Sequence, residues 1–218
     1  MLSQRTIKNK ITCSGVGLHT GKKVKLTFHP AEPNTGILFR RIDGDKVVDI
    51  PATAKNVGET TLSTTLVYGE YKISTIEHLL SALAGTGVDN CIIDCDGPEI
   101  PIMDGSSTQF VFLIQTAGIV EQNAVKKFVY VTKSVQVQRD DAVARIKPYD
   151  GFRVTFTLEF DHPVYNKYPH SASIDFSQTS FIREVSRART FGLMDDLEKL
   201  KKMNLALGAN LNNAIGIG

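Results

Sequence analysis

A glutamate and a histidine stand side by side at Glu77 and His78, in a stretch with the pattern of a short helix. Ser74 is a typical N-cap residue, and Glu77 three positions later completes a capping box. Gly85 is the predicted end of this helix. Its apolar residues recur at the i, i+3, i+4, i+7 spacing of one helical face: Ile76, Leu79, Leu80 and Leu83. His78 therefore points away from the predicted core.

An adjacent Glu-His pair on one exposed turn could serve a metal-bound water, with the histidine as ligand and the glutamate as proton carrier. Each residue also has a plainer interpretation. Glu77 could be only the capping-box acid, and His78 only a solvated surface histidine. The local pattern leaves these alternatives open, because it lacks the two histidines of an H-E-x-x-H zinc motif.

The pair is followed by a predicted strand over 88–95 and by an irregular connection over 96–105 that contains two prolines and two glycines. Ser106 or Ser107 is the predicted cap of a second helix that runs to Ala117, with Gly118 just beyond its end. Near the start of the chain, the glycine run at 15–21 has the wrong spacing for G-x-G-x-x-G and precedes a strand. We therefore interpret this run as a tight turn.

The composition is that of an ordinary globular protein, with 42% hydrophobic and 22% charged residues in 218 and a net charge of +2. A nucleic-acid-binding protein usually has a basic patch, and the sequence shows none, so a nucleic-acid partner is not expected. No apolar run could span a bilayer, and the polar N-terminus lacks a signal-peptide core, so a cytoplasmic protein is expected. Three cysteines argue against a disulfide framework, and Cys91 and Cys95 are predicted to be buried thiols.

The order of the elements predicts an α+β protein. Strands are followed by a helix, a strand and a second helix, which gives a first two-layer domain over 1–122 with a polar link at 121–123. A second domain over 127–218 restarts with strands at 128–137 and 142–146. Apolar residues alternate strictly over 152–160, which indicates that one side of this sheet meets a core. Helices are predicted from about Thr179 to Thr190 and over 193–203.

Several motifs together resemble one family. They are I-S-T-I-E-H-L at 73–79, G-V-D-N at 87–90, P-E-I-P-I-M-D-G-S at 98–106, G-V-G-L-H-T-G at 15–21 and S-R-A-R-T-F-G at 186–192. This set closely resembles LpxC, the zinc-dependent UDP-3-O-acyl-N-acetylglucosamine deacetylases of lipid A synthesis. The resemblance covers essentially all 218 residues. It implies two similar two-layer β/α sandwich domains, with the active site in the cleft between them.

The resemblance also implies roles for individual residues. His78 would be a zinc ligand, Glu77 the general base and then acid, and Thr190 a hydrogen-bond donor to the developing oxyanion. Taken alone, Thr190 would be read as a helix C-cap. Residues 193–211 would shape a passage for the acyl chain. The implied substrate-binding residues are Leu62, Glu159, Phe160 and Phe191, and His19 and Asp104 could line the site. For His19, a simple place in the turn is an equal alternative.

One departure from the family pattern is large. The family takes its other two zinc ligands from an H-x-x-x-D pair, and none of the five histidines has an aspartate four residues later. We therefore expect an N-terminal portion of a family member, with the remaining Zn2+ ligands beyond Gly218. On this expectation the second domain is incomplete, and the chain as given is metal-poor and inactive. It would be a monomer whose exposed sheet could self-associate. The alternative is a non-catalytic binding module for a nucleotide sugar or acyl chain.

Overall fold

The computed structural model describes residues 2–159, 163–167 and 169–218, and these form a mixed α+β fold of several small sheets and few helices. The strands are β1 (Ser3–Ile7), β2 (Ile11–Val16), β3 (Lys23–Pro30), β4 (Ile37–Asp43), β5 (Lys46–Pro51), β6 (Leu66–Tyr68), β7 (Tyr71–Ile73), β8 (Cys91–Cys95), β9 (Ile119–Val125), β10 (Val135–Arg139), β11 (Ala142–Ile146), β12 (Arg153–Thr157), β13 (Ser171–Asp175), β14 (Phe191–Leu193) and β15 (Ile215–Ile217). The α-helices are α1 (Glu77–Thr86), α2 (Thr108–Ala117), α3 (Gln178–Ser180) and α4 (Leu197–Lys202). A π-helical segment, Phe181–Val185, continues α3.

The largest sheet has five strands in the order β2-β3-β8-β4-β5. The β4–β8 pair is parallel and the other pairs are antiparallel. Along β3 the apolar residues Val24, Leu26 and Phe28 are buried, while Lys23 and Lys25 are exposed. This is the alternation expected of a strand, whose successive side chains point to opposite faces, although Thr27 is also buried.

Helices α1 and α2 pack against each other in the core of the first half. Their inner faces bury Leu79, Ala82, Leu83, Phe110, Val111 and Ile114. Helix α2 is confirmed as predicted, with Ser107 as N-cap and Gly118 just past its end at φ 76°. Helix α1 ends later than predicted, at Gly87 with φ 79°, and Gly85 lies inside it. A side chain at Gly85 would collide with the ring of Phe181, so this glycine serves close packing rather than helix termination.

The second half buries much less apolar surface. Strands β10 and β11 form one two-stranded ribbon, and β12 and β13 form another. Phe152 and Phe156 are 65% and 62% exposed. The prediction that one side of this sheet meets a core is therefore wrong for the residues that the structure describes. The Phe152 ring packs on Phe176 (5.3 Å between centroids), and Phe176 lies 6.4 Å from Phe181, so these three rings connect this ribbon to the core.

Three predicted boundaries also differ from the structure. Residues 121–123, predicted as a link, belong to β9, which pairs antiparallel with β1. The half-polar Thr- and Ser-rich stretch over 60–68 has the sequence pattern of a strand, but only β6 forms there. The helix predicted to end near Thr190 ends with its π-helical segment at Val185. The first and third differences involve contacts with distant segments, since β9 pairs with β1 and Thr190 bonds to Gly105, and the local pattern does not record such contacts. None of the helices described is long and apolar enough to cross a membrane.

Two phenylalanines of α2 test where the core sits. Phe110 is fully buried, whereas Phe112 is 67% exposed. We expect Phe110→Ala to lower the free energy of unfolding by about 3–5 kcal/mol, because it leaves a cavity in a close-packed core. Phe112→Ala, the matched control, should change it by less than about 0.5 kcal/mol. Urea unfolding of both variants gives the comparison, and equal losses would place the core elsewhere.

Candidate active site

The first turn of α1 carries Glu77 and His78, both half-buried. The predicted capping box is wrong. Ser74 is held by backbone hydrogen bonds from its N–H to the Pro98 carbonyl and from Ile100 N–H to its own carbonyl, both 2.9 Å long. It therefore lies outside the helix, and the Glu77 carboxylate instead accepts a hydrogen bond from the Thr64 N–H (2.9 Å). This contact fixes Glu77 on the loop that precedes β6.

Burial lowers the pKa of His78 below its ordinary value of 6.5. The carboxylates of Glu77 and Asp104 act in the opposite direction, since nearby negative charge favours the imidazolium form. The loss of hydration is the larger of these effects. His78 is therefore neutral at neutral pH, and only a neutral imidazole can offer a nitrogen lone pair to a metal ion.

The His19 side chain, predicted to lie in a turn or to line the site, bridges two segments. Its residue is 9% exposed. Its Nδ1 accepts a hydrogen bond from the Ala206 N–H, and its Nε2 lies 3.4 Å from the Leu62 carbonyl. Because Nδ1 acts as acceptor, Nε2 carries the proton and donates to Leu62. Leu62 itself is 57% exposed. The His19 ring thus contacts the loop before β6 at Leu62, and the Glu77 carboxylate contacts the same loop at Thr64.

Thr190 lies on the other side of this region, in extended chain rather than at the end of a helix. Its N–H donates to the Gly105 carbonyl (2.8 Å), and its own carbonyl accepts from the Ile215 N–H (2.9 Å). The neighbouring Arg189 guanidinium donates to the Asp104 carbonyl (2.7 Å). The helix C-cap interpretation of Thr190 is therefore excluded, because the preceding helical segment ends at Val185.

The other predicted site residues are less closely joined to this group. Glu159 is exposed at the end of the β12–β13 ribbon, next to Leu158, whose N–H donates to the His170 carbonyl (2.8 Å). Phe191 is 37% exposed in β14, with its ring 5.8 Å from that of Tyr165. Phe160 lies outside the described residues. Their predicted roles in substrate binding stay predictions.

Sequence reasoning missed Glu99. Its carboxylate is 1% exposed and accepts hydrogen bonds from His19, Thr20 and Thr75. The only sequence signal was a glutamate between apolar residues and two prolines, in P-E-I-P. A buried carboxylate needs several donors, and these donors come from segments 24 to 80 residues away.

The backbone around these residues is strained. Seven non-glycine residues of the described chain have positive φ, and four of them adjoin the group above: Leu62, Thr75, Met103 and Ala206. Thr75 is β-branched and has φ 58°, a conformation that side chains of this kind rarely adopt. Such strain collects at functional sites, because the surrounding structure must hold it in place.

The described residues do not complete a metal site. They contain no group of three or more His, Cys, Asp and Glu side chains that could hold a metal ion. A catalytic zinc usually has three protein ligands, so His78 with its neighbouring carboxylates is a partial set.

Comparison with known proteins matches nearly the whole chain to one family. The family model of LpxC, described as UDP-3-O-acyl N-acetylglycosamine deacetylase, matches residues 4–218. A UDP-3-O-acyl-N-acetylglucosamine deacetylase of Methylococcus capsulatus and another of Alcanivorax borkumensis are each 58% identical over 215 residues. A protein of the same name from Coxiella burnetii is 55% identical over 215 residues. These alignments cover 99% of this chain and 71% of each relative.

Gly105 tests how closely the two sides of the site approach. It has φ 82°, and a Cβ there would collide with the Asn213 carbonyl. We expect Gly105→Ala to break the bond between Thr190 and residue 105 and to lower the free energy of unfolding by about 3 kcal/mol or more. Gly44→Ala, the control, also has positive φ but meets nothing within 4 Å, so it should cost only about 1–2 kcal/mol. Hydrogen exchange of residues 186–215 should rise in the first variant alone, and similar behaviour of both would refute the close approach.

The pKa of His78 predicts a pH dependence in the metal-free chain. Because the folded state binds this proton less readily than the unfolded state, stability is complete above about pH 6.5 and falls as the pH is lowered toward the folded pKa. Proton NMR of the His78 ring should show a midpoint below 6.5. His78→Gln should lose less stability than the parent chain between pH 7.5 and 5.5, and an equal loss would contradict this assignment.

Proposed function

The chain belongs to the LpxC family, and from this premise we propose that it carries the catalytic residues of a deacetylase that hydrolyses the N-acetyl group of a UDP-3-O-acyl-N-acetylglucosamine. One observation supports the proposal above all: Glu77, His78 and Thr190 stand in the stretches that resemble the family's motifs, in a chain that matches the family over residues 4–218.

Glu77 is proposed to take a proton from the attacking water and to return it to the leaving amine. One oxygen of its carboxylate accepts from the Thr64 N–H, and the other has no hydrogen-bond partner among the described residues, so it could accept from a water. A general base held in this way is already oriented for proton transfer, so little conformational entropy is lost when it reacts. Thr190 is proposed to donate its hydroxyl to the oxygen that gains negative charge. Its backbone bonds to Gly105 and Ile215 fix the main chain from which that hydroxyl projects.

Substrate binding is proposed to involve the second half of the chain. Glu159 and Phe160 would meet the nucleotide, Phe191 would pack on the substrate, and Leu62 would lie near the reacting centre. Residues 193–211 would form the passage for the acyl chain. This arrangement corresponds to two similar α+β sandwich domains, over 1–122 and 127–218, with the active site between them. The contacts of residues 104–108 with 186–190 support it, since they join the two halves at the site.

Zinc is proposed as the metal of the family site, with His78 as a ligand. The described residues fit it only in part, because they offer one imidazole and no set of three ligands. We therefore propose that these 218 residues, without added zinc, are metal-poor and inactive. We also propose a cytoplasmic location, and self-association through the exposed ribbons that carry Phe152 and Phe156.

The alternative function is a binding module that holds a nucleotide sugar or acyl chain without cleaving it. The incomplete metal set favours it. The presence of Glu77, His78 and Thr190 argues against it, because a module that only binds has no need of a proton carrier beside a neutral histidine.

The deacetylase proposal is tested by acetate release from UDP-3-O-acyl-N-acetylglucosamine, at high protein concentration and with zinc in excess. We expect slow release that falls by about 10²–10⁴-fold in Glu77→Gln, because the general base is lost. Binding of the substrate is measured beside it by calorimetry. Binding without release would identify the binding module, and neither binding nor release would overturn both functions.

Zinc content tests the metal assignment. Purified protein should hold well below one zinc per chain after dialysis, and His78→Ala should hold less still. His29→Ala is the control, since His29 pairs with Asp94 on the five-stranded sheet and should leave zinc content unchanged. About one firmly held zinc per chain, lost in His78→Ala, would show that ligands within these residues complete the site.

A further inference from the structure

Glu99 is a buried carboxylate whose charge is met by hydrogen bonds alone. It is 1% exposed. In residues 2–159, 163–167 and 169–218, no lysine, arginine or histidine forms an ion pair with it. An isolated buried charge is costly, so this position needs its full set of donors.

Four donors meet that charge. Oε1 accepts from the His19 N–H (2.8 Å) and the Thr75 hydroxyl (3.0 Å). Oε2 accepts from the Thr20 N–H (2.8 Å) and the Thr20 hydroxyl (2.7 Å). Gly17 makes room for the carboxylate, since a Cβ at that residue would collide with it. Glu99 thus joins the turn at 17–20 to the residue that lies two positions before Glu77.

Two short paths lead from Glu99 to Glu77. The first runs through Thr75, whose φ of 58° sets the direction in which the chain enters α1. The second runs through His19, whose ring contacts the Leu62 carbonyl. Leu62 lies two residues before Thr64, and the Thr64 N–H is the donor to the Glu77 carboxylate. The base and the donor that orients it are therefore both tied to the same buried carboxylate.

We propose that Glu99 is a positioning residue: it sets the orientation of the Glu77 carboxylate by holding Thr75 and the His19 turn together. This inference rests on the role proposed for Glu77. Glu99 itself is enclosed and contacts no substrate. Its effect is transmitted through the contact between Glu77 and Thr64.

Glutamine at this position cannot reproduce the contacts. A carboxamide has one oxygen and one NH₂ group, whereas two backbone N–H groups, of His19 and Thr20, point at different oxygens of Glu99. A hydroxyl can rotate to accept from the NH₂ group, but a backbone N–H cannot. Glu99→Gln therefore leaves one buried backbone donor without an acceptor, although the shape of the side chain is conserved.

The experiment is hydrogen exchange of the Thr64 amide, measured by NMR in the metal-free 218-residue chain. We expect exchange at Thr64 to be about tenfold faster in Glu99→Gln, because the loop that carries it loses its anchor. Amides in the middle of β3 and α2 should keep their parent rates. Since the measurement needs neither zinc nor substrate, its outcome is independent of the acetate-release assay that tests the proposed function.

Asp89→Asn is the matched control. Asp89 is also a partly buried carboxylate that accepts from a backbone N–H, that of Arg5 (2.9 Å), and it pairs with Lys126 at the opposite end of α1. If Glu99 has a positioning role, Asp89→Asn leaves Thr64 exchange unchanged. Equal acceleration at Thr64 in both variants, or unchanged exchange in Glu99→Gln, would overturn the proposal.

Thr20→Val keeps the test valid if Glu99→Gln does not fold. It removes the hydroxyl donor to Oε2, together with an exposed hydrogen bond that this hydroxyl accepts from the Lys22 N–H (3.3 Å), and it retains both backbone donors. We expect a smaller rise in Thr64 exchange, about threefold, with the protein still folded. Unchanged Thr64 exchange in the folded Thr20→Val protein would count against the proposal as well.

Discussion

The parallel contact between Ser74 and Glu99 decides where α1 begins, and so where Glu77 and His78 point. The backbone of Ser74 bonds to Pro98 on one side and Ile100 on the other, as in a small piece of sheet. Thr75 then turns through a left-handed conformation, and the helix starts at Glu77. Had Ser74 been free to cap the helix, the Glu77 carboxylate would have bonded to its backbone N–H. Because Ser74 is not the cap, the Glu77 carboxylate instead accepts a hydrogen bond from the Thr64 N–H, on the loop before β6.

Burial is uneven along the chain, and the site lies where the two regions meet. The first half places its apolar residues in one continuous core, which Phe181 joins from the second half. Strands β10 to β13 are exposed on both faces. The position of Thr190 is therefore not set by a hydrophobic core in the second half of the chain. It is held by backbone hydrogen bonds to Gly105 and Ile215, while Ser107 N–H bonds to the Ser186 carbonyl (3.0 Å). Few buried contacts support strands β10 to β13, so local opening should be easier in these strands than in the five-stranded sheet.

The sequence predicted what depends on near neighbours. Periodicity placed Leu79 and Leu83 on the buried face of α1, and cap residues placed both ends of α2. His78 was expected on an exposed turn, whereas it is half-buried. Long-range pairing was invisible to the same reasoning. Ser74 has the right chemistry for a cap, yet its partners lie 24 or more residues away. Alternation over 152–160 showed which residues share a face, but no local pattern tells whether another element covers that face. Glu99 was missed for a related reason, since a buried acid is recognised only by its donors.

The ionisation of His78 and the shortage of ligands act on metal binding in opposite directions. Burial keeps the imidazole neutral, so no proton has to be displaced before it can bind a metal at neutral pH. The carboxylates of Glu77 and Asp104 would stabilise an incoming cation, because they already favour the positive form of His78. Affinity nevertheless depends on the number of ligands that meet at one point, and the described residues do not bring three together. The described residues thus show a fixed arrangement: a neutral histidine, a glutamate tethered to the Thr64 N–H and a threonine whose backbone is held on both sides.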